Sequence, residues 1–365
     1  MIVIIGATLA GLAAAARLAR VGHQVVVLDR QPQPSSAQEA GLWPTGLDAD
    51  PNLVVLPAAW RDLFKKSGQP LVGALGQHQL QLVPAPPASY STSAGELILP
   101  ADRAAQWHTL VDAVGPRTAT TWRDLLDRMD QTWLALRPLG VEEEFTAARL
   151  DRATRAALRA GESLADLAGQ VGPLGGLFTD LAVRRDSEPR RTPGWLGTRL
   201  SLERTFGRWQ LIDSAGVPQP AIRLLDVLLQ RLVDRGVELR WATEARQVRP
   251  GQVVTREGNV TCRAAIVATS PWEYATLTGQ RPSRRLAAAA TAGPRWQRWR
   301  TLLELPRLQS SLPGVYAASE FSPAGPEPWA QLLTGALATY RVHEDLTGQD
   351  MRPSNKDWQP PPLRR

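Results

Sequence analysis

The chain has 365 residues, 43% of them hydrophobic, and a formal charge of +7. That length predicts two domains rather than one small core, and that composition excludes a disordered chain. One cysteine, Cys262, and four scattered histidines, His23, His78, His108 and His343, exclude a disulfide framework and give no metal-ligand spacing. The basic charge is spread over arginines along the whole chain, which argues against a nucleic-acid partner. Its densest stretch, Arg284-Arg285 with Arg295-Trp296-Gln297-Arg298-Trp299-Arg300, suits peripheral contact with anionic lipid headgroups. The first apolar run, Ile2 to Ala16, has no positive segment before it, so it reads as structure and not as a secretion signal. No other run reaches the ~18 apolar residues of a spanning helix. The expectation is a cytoplasmic protein, with a peripheral membrane contact as an option.

Ile2 to Ile5 predicts a buried parallel strand. Gly6-Ala7-Thr8-Leu9-Ala10-Gly11 then turns the chain into an Ala- and Leu-rich helix that ends near Gly22. His23 to Leu28 is a second strand, closed by Asp29 and Arg30. Asp29 lies 23 residues after Gly6, the spacing of an acid that bonds a dinucleotide ribose. Gly6 permits the turn, Gly11 permits close packing of helix on strand, and the helix N-terminus suits a pyrophosphate. The pattern departs from G-x-G-x-x-G at Thr8, whose side chain takes space that a glycine leaves open. An ordinary βαβ unit without a ligand is the plain alternative.

Ala58 to Ser67 predicts a short helix stopped by Gly68, with Trp60, Leu63 and Phe64 on one face. Here the chain resembles the phytoene desaturase and carotenoid isomerase branch of the flavin amine-oxidase superfamily. Thr45-Gly46, Asp62-Leu63-Phe64-Lys65-Lys66-Ser67-Gly68, Leu82-Val83-Pro84, Tyr90 and Gly95-Glu96-Leu97-Ile98-Leu99-Pro100 follow that family's order.

Ala101 to Gln170 reads as mainly helical, with Trp122, Leu125, Leu126, Met129 and Trp133 at helical spacing. They are a core stripe or a wall of an apolar substrate tunnel. Val141 to Arg159 predicts an exposed charged helix, and Arg184 to Pro193 a flexible loop. Leu202 to Trp209 resembles the family segment before the return to the flavin domain, and Ser214-Ala215-Gly216-Val217-Pro218 stands where the resemblance expects a glycine-rich turn. Ile222 to Arg235 predicts an amphipathic helix, Val237 to Arg240 a strand, and Arg246 to Thr261 a β-meander. Ala264 to Pro271 is a buried strand ending in small residues. A last strand, Gly314 to Ala317, leads through Glu320, Gly325 and Pro326 to a helix holding Gly335.

The resemblance implies an α/β fold: a Rossmann-like FAD-binding domain of the GR2 type, interleaved with a smaller α+β substrate domain. It assigns residues 1–75, 215–272 and 308–345 to the FAD domain and 76–214 and 273–307 to the substrate domain. Residues 346–365 are expected to form a disordered tail. It implies FAD contacts from Gly6, Ala7, Thr8, Leu9, Ala10, Gly11, Asp29, Arg30, Ala245, Ala268, Thr269, Glu320 and Gly325. It places Trp209, Gly216 and Pro326 at the flavin face, and no catalytic side chain is singled out. The implied activity is FAD-dependent oxidation or isomerisation of an apolar, polyene or isoprenoid molecule. The family's chains are longer, and its glycines are replaced at Thr8, Ser35-Ser36 and Ser319. A non-catalytic accessory or lipid-binding protein that has lost FAD, or a partner of a homologous subunit, therefore stands as the alternative. An amine oxidase with a narrow polar pocket is a third.

Overall fold

The computed structural model describes residues 1–33, 52–92, 95–183, 187–284, 287, 304–318 and 327–352. In chain order the first elements are β1 (Ile2–Ile5), α1 (Leu9–Arg20), β2 (Val25–Leu28), β3 (Leu53–Val54), α2 (Pro57–Lys66) and α3 (Leu71–Gln77). Next come β4 (Leu80–Pro84), β5 (Ala88–Thr92), β6 (Gly95–Leu99), α4 (Arg103–Leu136), α5 (Arg152–Ala157), α6 (Leu164–Gln170), α7 (Gly175–Val183) and α8 (Thr198–Phe206). The chain continues with β7 (Trp209–Asp213), β8 (Pro218–Gln219), α9 (Arg223–Asp234), β9 (Glu238–Arg240), β10 (Ala245–Arg249), β11 (Gln252–Thr255) and β12 (Asn259–Thr261). It closes with β13 (Ala264–Val267), α10 (Pro271–Leu277), β14 (Val315–Ala317) and α11 (Pro328–Thr347).

The central sheet has the order β14-β13-β1-β2-β9, and all its pairings are parallel. Every residue of β1, β2 and β13 is buried, as continuous apolar runs covered on both faces must be. Helix α1 lies against the sheet, and α11 lies against α1. The small side chains of α1 allow that approach: a methyl placed on Gly335 of α11 would lie 2.3 Å from the Ala10 carbonyl oxygen.

The second region is built on the sheet β3-β7-β4, with β8 beside β7, and on the hairpin of β5 and β6. Trp122, Leu125, Leu126 and Met129 of α4 are buried with Leu164, Leu177 and Phe178, which makes the stripe core. Trp133, at the far end of the stripe, instead meets Trp329 edge to face, with ring centroids 5.4 Å apart. Helix α4 breaks at Gly115 (φ 81°, ψ 161°), because Pro116 removes an amide donor and disfavours helix at the preceding residue.

Two sequence expectations are corrected. Val141 to Arg159 is not one exposed helix: it is turn, a short 3-10 segment at Ala147–Arg149, and α5, and Leu150 and Leu158 are buried. The expected helix lacks a continuous apolar face to hold it, and the Asp151 side chain caps a fresh start at the Thr154 amide. The tail does not begin at 346: α11 runs to Thr347, and Met351 packs beside Leu337 and Tyr340. In the polar loop before Gly194, Thr192 is buried and its carbonyl accepts from the Leu164 amide.

Candidate dinucleotide site

β1 ends at Gly6, whose φ of +100° sends the chain into α1. The position admits no side chain, since a Cβ would lie 2.5 Å from the Ala268 carbonyl oxygen. Gly11, one turn into α1, is equally constrained, with its Cβ position 2.2 Å from the Gly6 carbonyl oxygen. Both glycines are therefore needed for the strand-turn-helix packing itself.

Thr8 is the N-cap of α1. Its hydroxyl donates to the Ala268 carbonyl at 2.9 Å and accepts from the Gly11 amide at 3.2 Å. The hydroxyl is thus turned back onto β13 and the helix. It consumes one first-turn amide and rivets α1 to the neighbouring strand end. The N–H groups of Leu9 and Ala10 have no hydrogen-bond acceptor among the described residues.

Asp29, at the end of β2, accepts from the Ala7 amide at 2.7 Å through one carboxylate oxygen and from the Gln31 amide at 2.8 Å through the other. The carboxylate is held at the mouth of the Gly6 turn. Arg30, exposed beside it, donates to Glu273 of α10 at 3.2 Å. Burial raises the Glu273 carboxyl above its ordinary range; Arg30 opposes this, while Asp29 and Glu244 add to it. Ala268 and Thr269 follow β13 and close the other side of the turn, with the Thr269 methyl 3.2 Å from where a Gly6 Cβ would stand. Ala245 opens β10, on the meander that follows β9.

Gly6, Ala7, Thr8, Leu9, Ala10, Gly11, Asp29, Arg30, Ala268 and Thr269 are therefore assembled around one turn. Glu320, Gly325, Pro326 and Ser319 lie outside the described residues, as do Ser35 and Ser36. Trp209 begins β7, where its indole N–H donates to the Phe206 carbonyl and the Arg61 guanidinium lies 4.9 Å from its ring. Gly216 stands apart, exposed at the tip of the β7-β8 hairpin with a φ of 79°. Among the described residues no group of three or more His, Cys, Asp or Glu side chains is arranged to hold a metal ion.

The family model described as FAD dependent oxidoreductase (DAO) matches residues 1–317. The chain belongs to this family. Its cofactor is FAD. The residues present fit that group: among the described residues two first-turn amides of α1 have no acceptor, and the Asp29 carboxylate lies at the turn, as a dinucleotide fold requires.

Among curated proteins the chain is similar to hydroxyneurosporene desaturase of Cereibacter sphaeroides, 27% identical over 308 residues, 80% of this chain and 58% of that one. It is similar to phytoene dehydrogenase of Streptomyces griseus, 32% identical over 127 residues, 34% of this chain and 24% of that one. The chain thus spans little more than half the length of the first relative. Among solved structures, cyclohexylamine oxidase of Brevibacterium oxydans superposes with a TM-score of 0.52 at 12% identity, over 94% of this chain and 99% of that one. A triple variant of putrescine oxidase reaches 0.50 at 16% identity, over 80% of this chain and 62% of that one. These likenesses establish the shared Rossmann-like fold.

Several residues of consequence escaped the sequence reading. Glu273 pairs with Arg30, and its only local signal is its place three residues after the Ser270 N-cap. Arg199 and Glu203 stand four apart on α8, a readable helical pair. The contact of Arg199 with Glu327 has no sequence signal at all.

Proposed function

We propose that this chain is a desaturase-like FAD-dependent oxidoreductase that acts on an isoprenoid polyene. The observation that carries the reading is the Gly6 turn, with Asp29 bound to the Ala7 amide and the Leu9 and Ala10 amides without an acceptor among the described residues, in a chain whose curated relatives are named hydroxyneurosporene desaturase and phytoene dehydrogenase. Desaturation removes two hydrogens from neighbouring carbons, one as hydride and one as a proton, and FAD supplies the hydride acceptor. The residues of this chain do the holding. The Leu9 and Ala10 amides and the N-terminal end of α1 would take the pyrophosphate. Asp29 would take ribose hydroxyls, and Arg30, braced by Glu273, would hold the adenosine end. Peripheral contact with a membrane, where such polyenes reside, accords with the basic segment near Arg295. No described helix is long and apolar enough to cross a membrane.

The test is a spectrum followed by an anaerobic titration. Purified protein carries a flavin absorption band, and a carotenoid polyene bleaches it. Bleaching by a primary amine and not by a polyene would move the assignment to the amine-oxidase reading. Colourless protein that also ignores added FAD would move it to the non-catalytic accessory reading.

A further inference from the structure

The central sheet has a second end, opposite the Gly6 turn, where helices return to strands. β2 and β9 are parallel neighbours, with Val26 level with Glu238. The turns that feed them, at Gly22 after α1 and at Gly236 after α9, therefore lie side by side, and a Cβ on either glycine would meet open space. Helix α2 ends at the same place. A Cβ on Gly68, just past its end, would lie 1.9 Å from Arg235 Nη2 and 2.9 Å from Arg20 Cδ. Two arginines from different helices thus lie over one residue that has no side chain.

Their charges have no partners. Neither the Arg20 nor the Arg235 guanidinium makes a hydrogen bond or an ion pair among the described residues, and Arg235 Nε is buried without an acceptor. Arg231, one turn before Arg235 on α9, is only 8% exposed. Its Nε is likewise buried without an acceptor, and Asp234 stands 3.9 Å from its Nη1, beyond hydrogen-bond range. Asp234 is itself engaged by the Gln230 amide at 3.0 Å. Burial lowers the Arg231 pKa; Asp234 opposes this and Arg235 adds to it, so the two cations feel each other. Guanidinium groups packed together with no counter-charge cost free energy that an anion would relieve.

Helix dipoles supply only part of that counter-charge. Each of the three helix C-termini carries about half a negative charge. Against them stand six cations, Arg17, Arg20, Lys65, Lys66, Arg231 and Arg235, and two acids, Asp62 and Asp234. Of these, Arg17 is taken by Asp62 at 2.7 Å, and Glu238 on β9 is bound to Arg240. The remaining surplus of about two positive charges suits a dianion better than a carboxylate. A phosphate monoester carries close to two charges at neutral pH and offers three acceptor oxygens to guanidinium forks.

We infer that the junction of α1, α2 and α9 binds inorganic phosphate or a phosphate monoester, gripped by Arg20 and Arg235 over Gly68 and backed by Arg231. This site is separate from the dinucleotide turn, which lies at the other end of the same strands. The phosphate group comes from a dissolved molecule or from a lipid headgroup.

The test uses the full chain saturated with FAD. Inorganic phosphate is titrated against chloride at matched ionic strength, and calorimetry reads the binding. Vesicles of phosphatidylcholine, with and without phosphatidic acid, are sedimented with the protein in parallel. Arg235→Gln weakens phosphate binding about tenfold or more, the worth of one charge-assisted hydrogen bond. Arg20→Gln, at an exposed position, does the same. Neither substitution lowers the melting temperature in phosphate-free buffer, since neither side chain has a partner to lose. The arginine dependence identifies the site whether or not the flavin is retained. Sedimentation with phosphatidic acid that Arg235→Gln abolishes makes a lipid the source; phosphate binding without sedimentation makes it a dissolved molecule. Absence of both, or binding that neither substitution changes, overturns the inference. So does a melting loss of equal size with and without phosphate, which would assign the arginines to capping the helices.

Discussion

The Arg199 guanidinium reaches both carboxylate oxygens of Glu327, at 2.9 and 2.8 Å, across 128 residues of sequence. The pair joins α8 of the second region to the N-cap of α11, the helix packed on α1. Burial works against the charge on Arg199, but Glu327 and Glu203 outweigh it and raise its pKa above the ordinary arginine value. Both side chains are nearly enclosed, at 13% and 5% exposure, so screening by water is weak.

Glu327→Ala should therefore destabilise the protein by about 3 kcal/mol, since it strands a buried cation with one partner where it had two. Urea denaturation measures this. A loss below about 1 kcal/mol would mean that Arg199 finds another acceptor or water.

Thr8→Gly should move stability and cofactor affinity in opposite directions. The substitution removes the hydroxyl bonds to Ala268 and Gly11, at a cost of roughly 1 kcal/mol in stability. It also returns the Gly11 amide to the helix end, where it adds a donor for the pyrophosphate. Thermal melts of the apoprotein and FAD titration read the two effects separately. Weaker FAD binding in Thr8→Gly would show that the Thr8 rivet serves the cofactor instead of competing with it.

Gly11→Val should abolish folding or cost more than about 3 kcal/mol, because backbone atoms stand where the side chain would go. Gly335→Ala presses on the Ala10 carbonyl and should cost about 1–3 kcal/mol. Circular dichroism melts rank the two. A neutral Gly335→Ala would require α11 to shift without penalty.

Stability should fall as pH drops below about 6.5. The His23 ring nitrogen meets His343 at 2.9 Å, and His23 feels the charges of Arg263 and the amino terminus. Burial lowers the His23 pKa first, and His343, Arg263 and the amino terminus lower it further. A folded-state value below the unfolded one means that the unfolded chain binds the proton first. The contribution is complete above about 6.5 and drains away as pH descends through the lower value. Melting points between pH 8 and 5, in the parent and in His23→Gln, check this. An unchanged pH slope in the variant would assign the acid sensitivity elsewhere.

The local sequence already determined the nucleotide turn. Four apolar residues, Gly6, a helix of small residues, four more apolar residues and Asp29 admit few arrangements. Steric exclusion at Gly6 and Gly11 and the run of β-branched residues act between near neighbours, so they are legible in order along the chain. The same holds for α2, α9 and the β10-β11-β12 meander. What the tertiary structure alone decided is which distant groups meet. The direction of the Thr8 hydroxyl depends on β13, which lies 260 residues away. The brace of Glu273 on Arg30 and the grip of Arg199 on Glu327 depend on elements from separate parts of the chain coming together. Charges of this kind carry no periodic signal, because Coulomb attraction and burial act through space and take no account of spacing along the backbone.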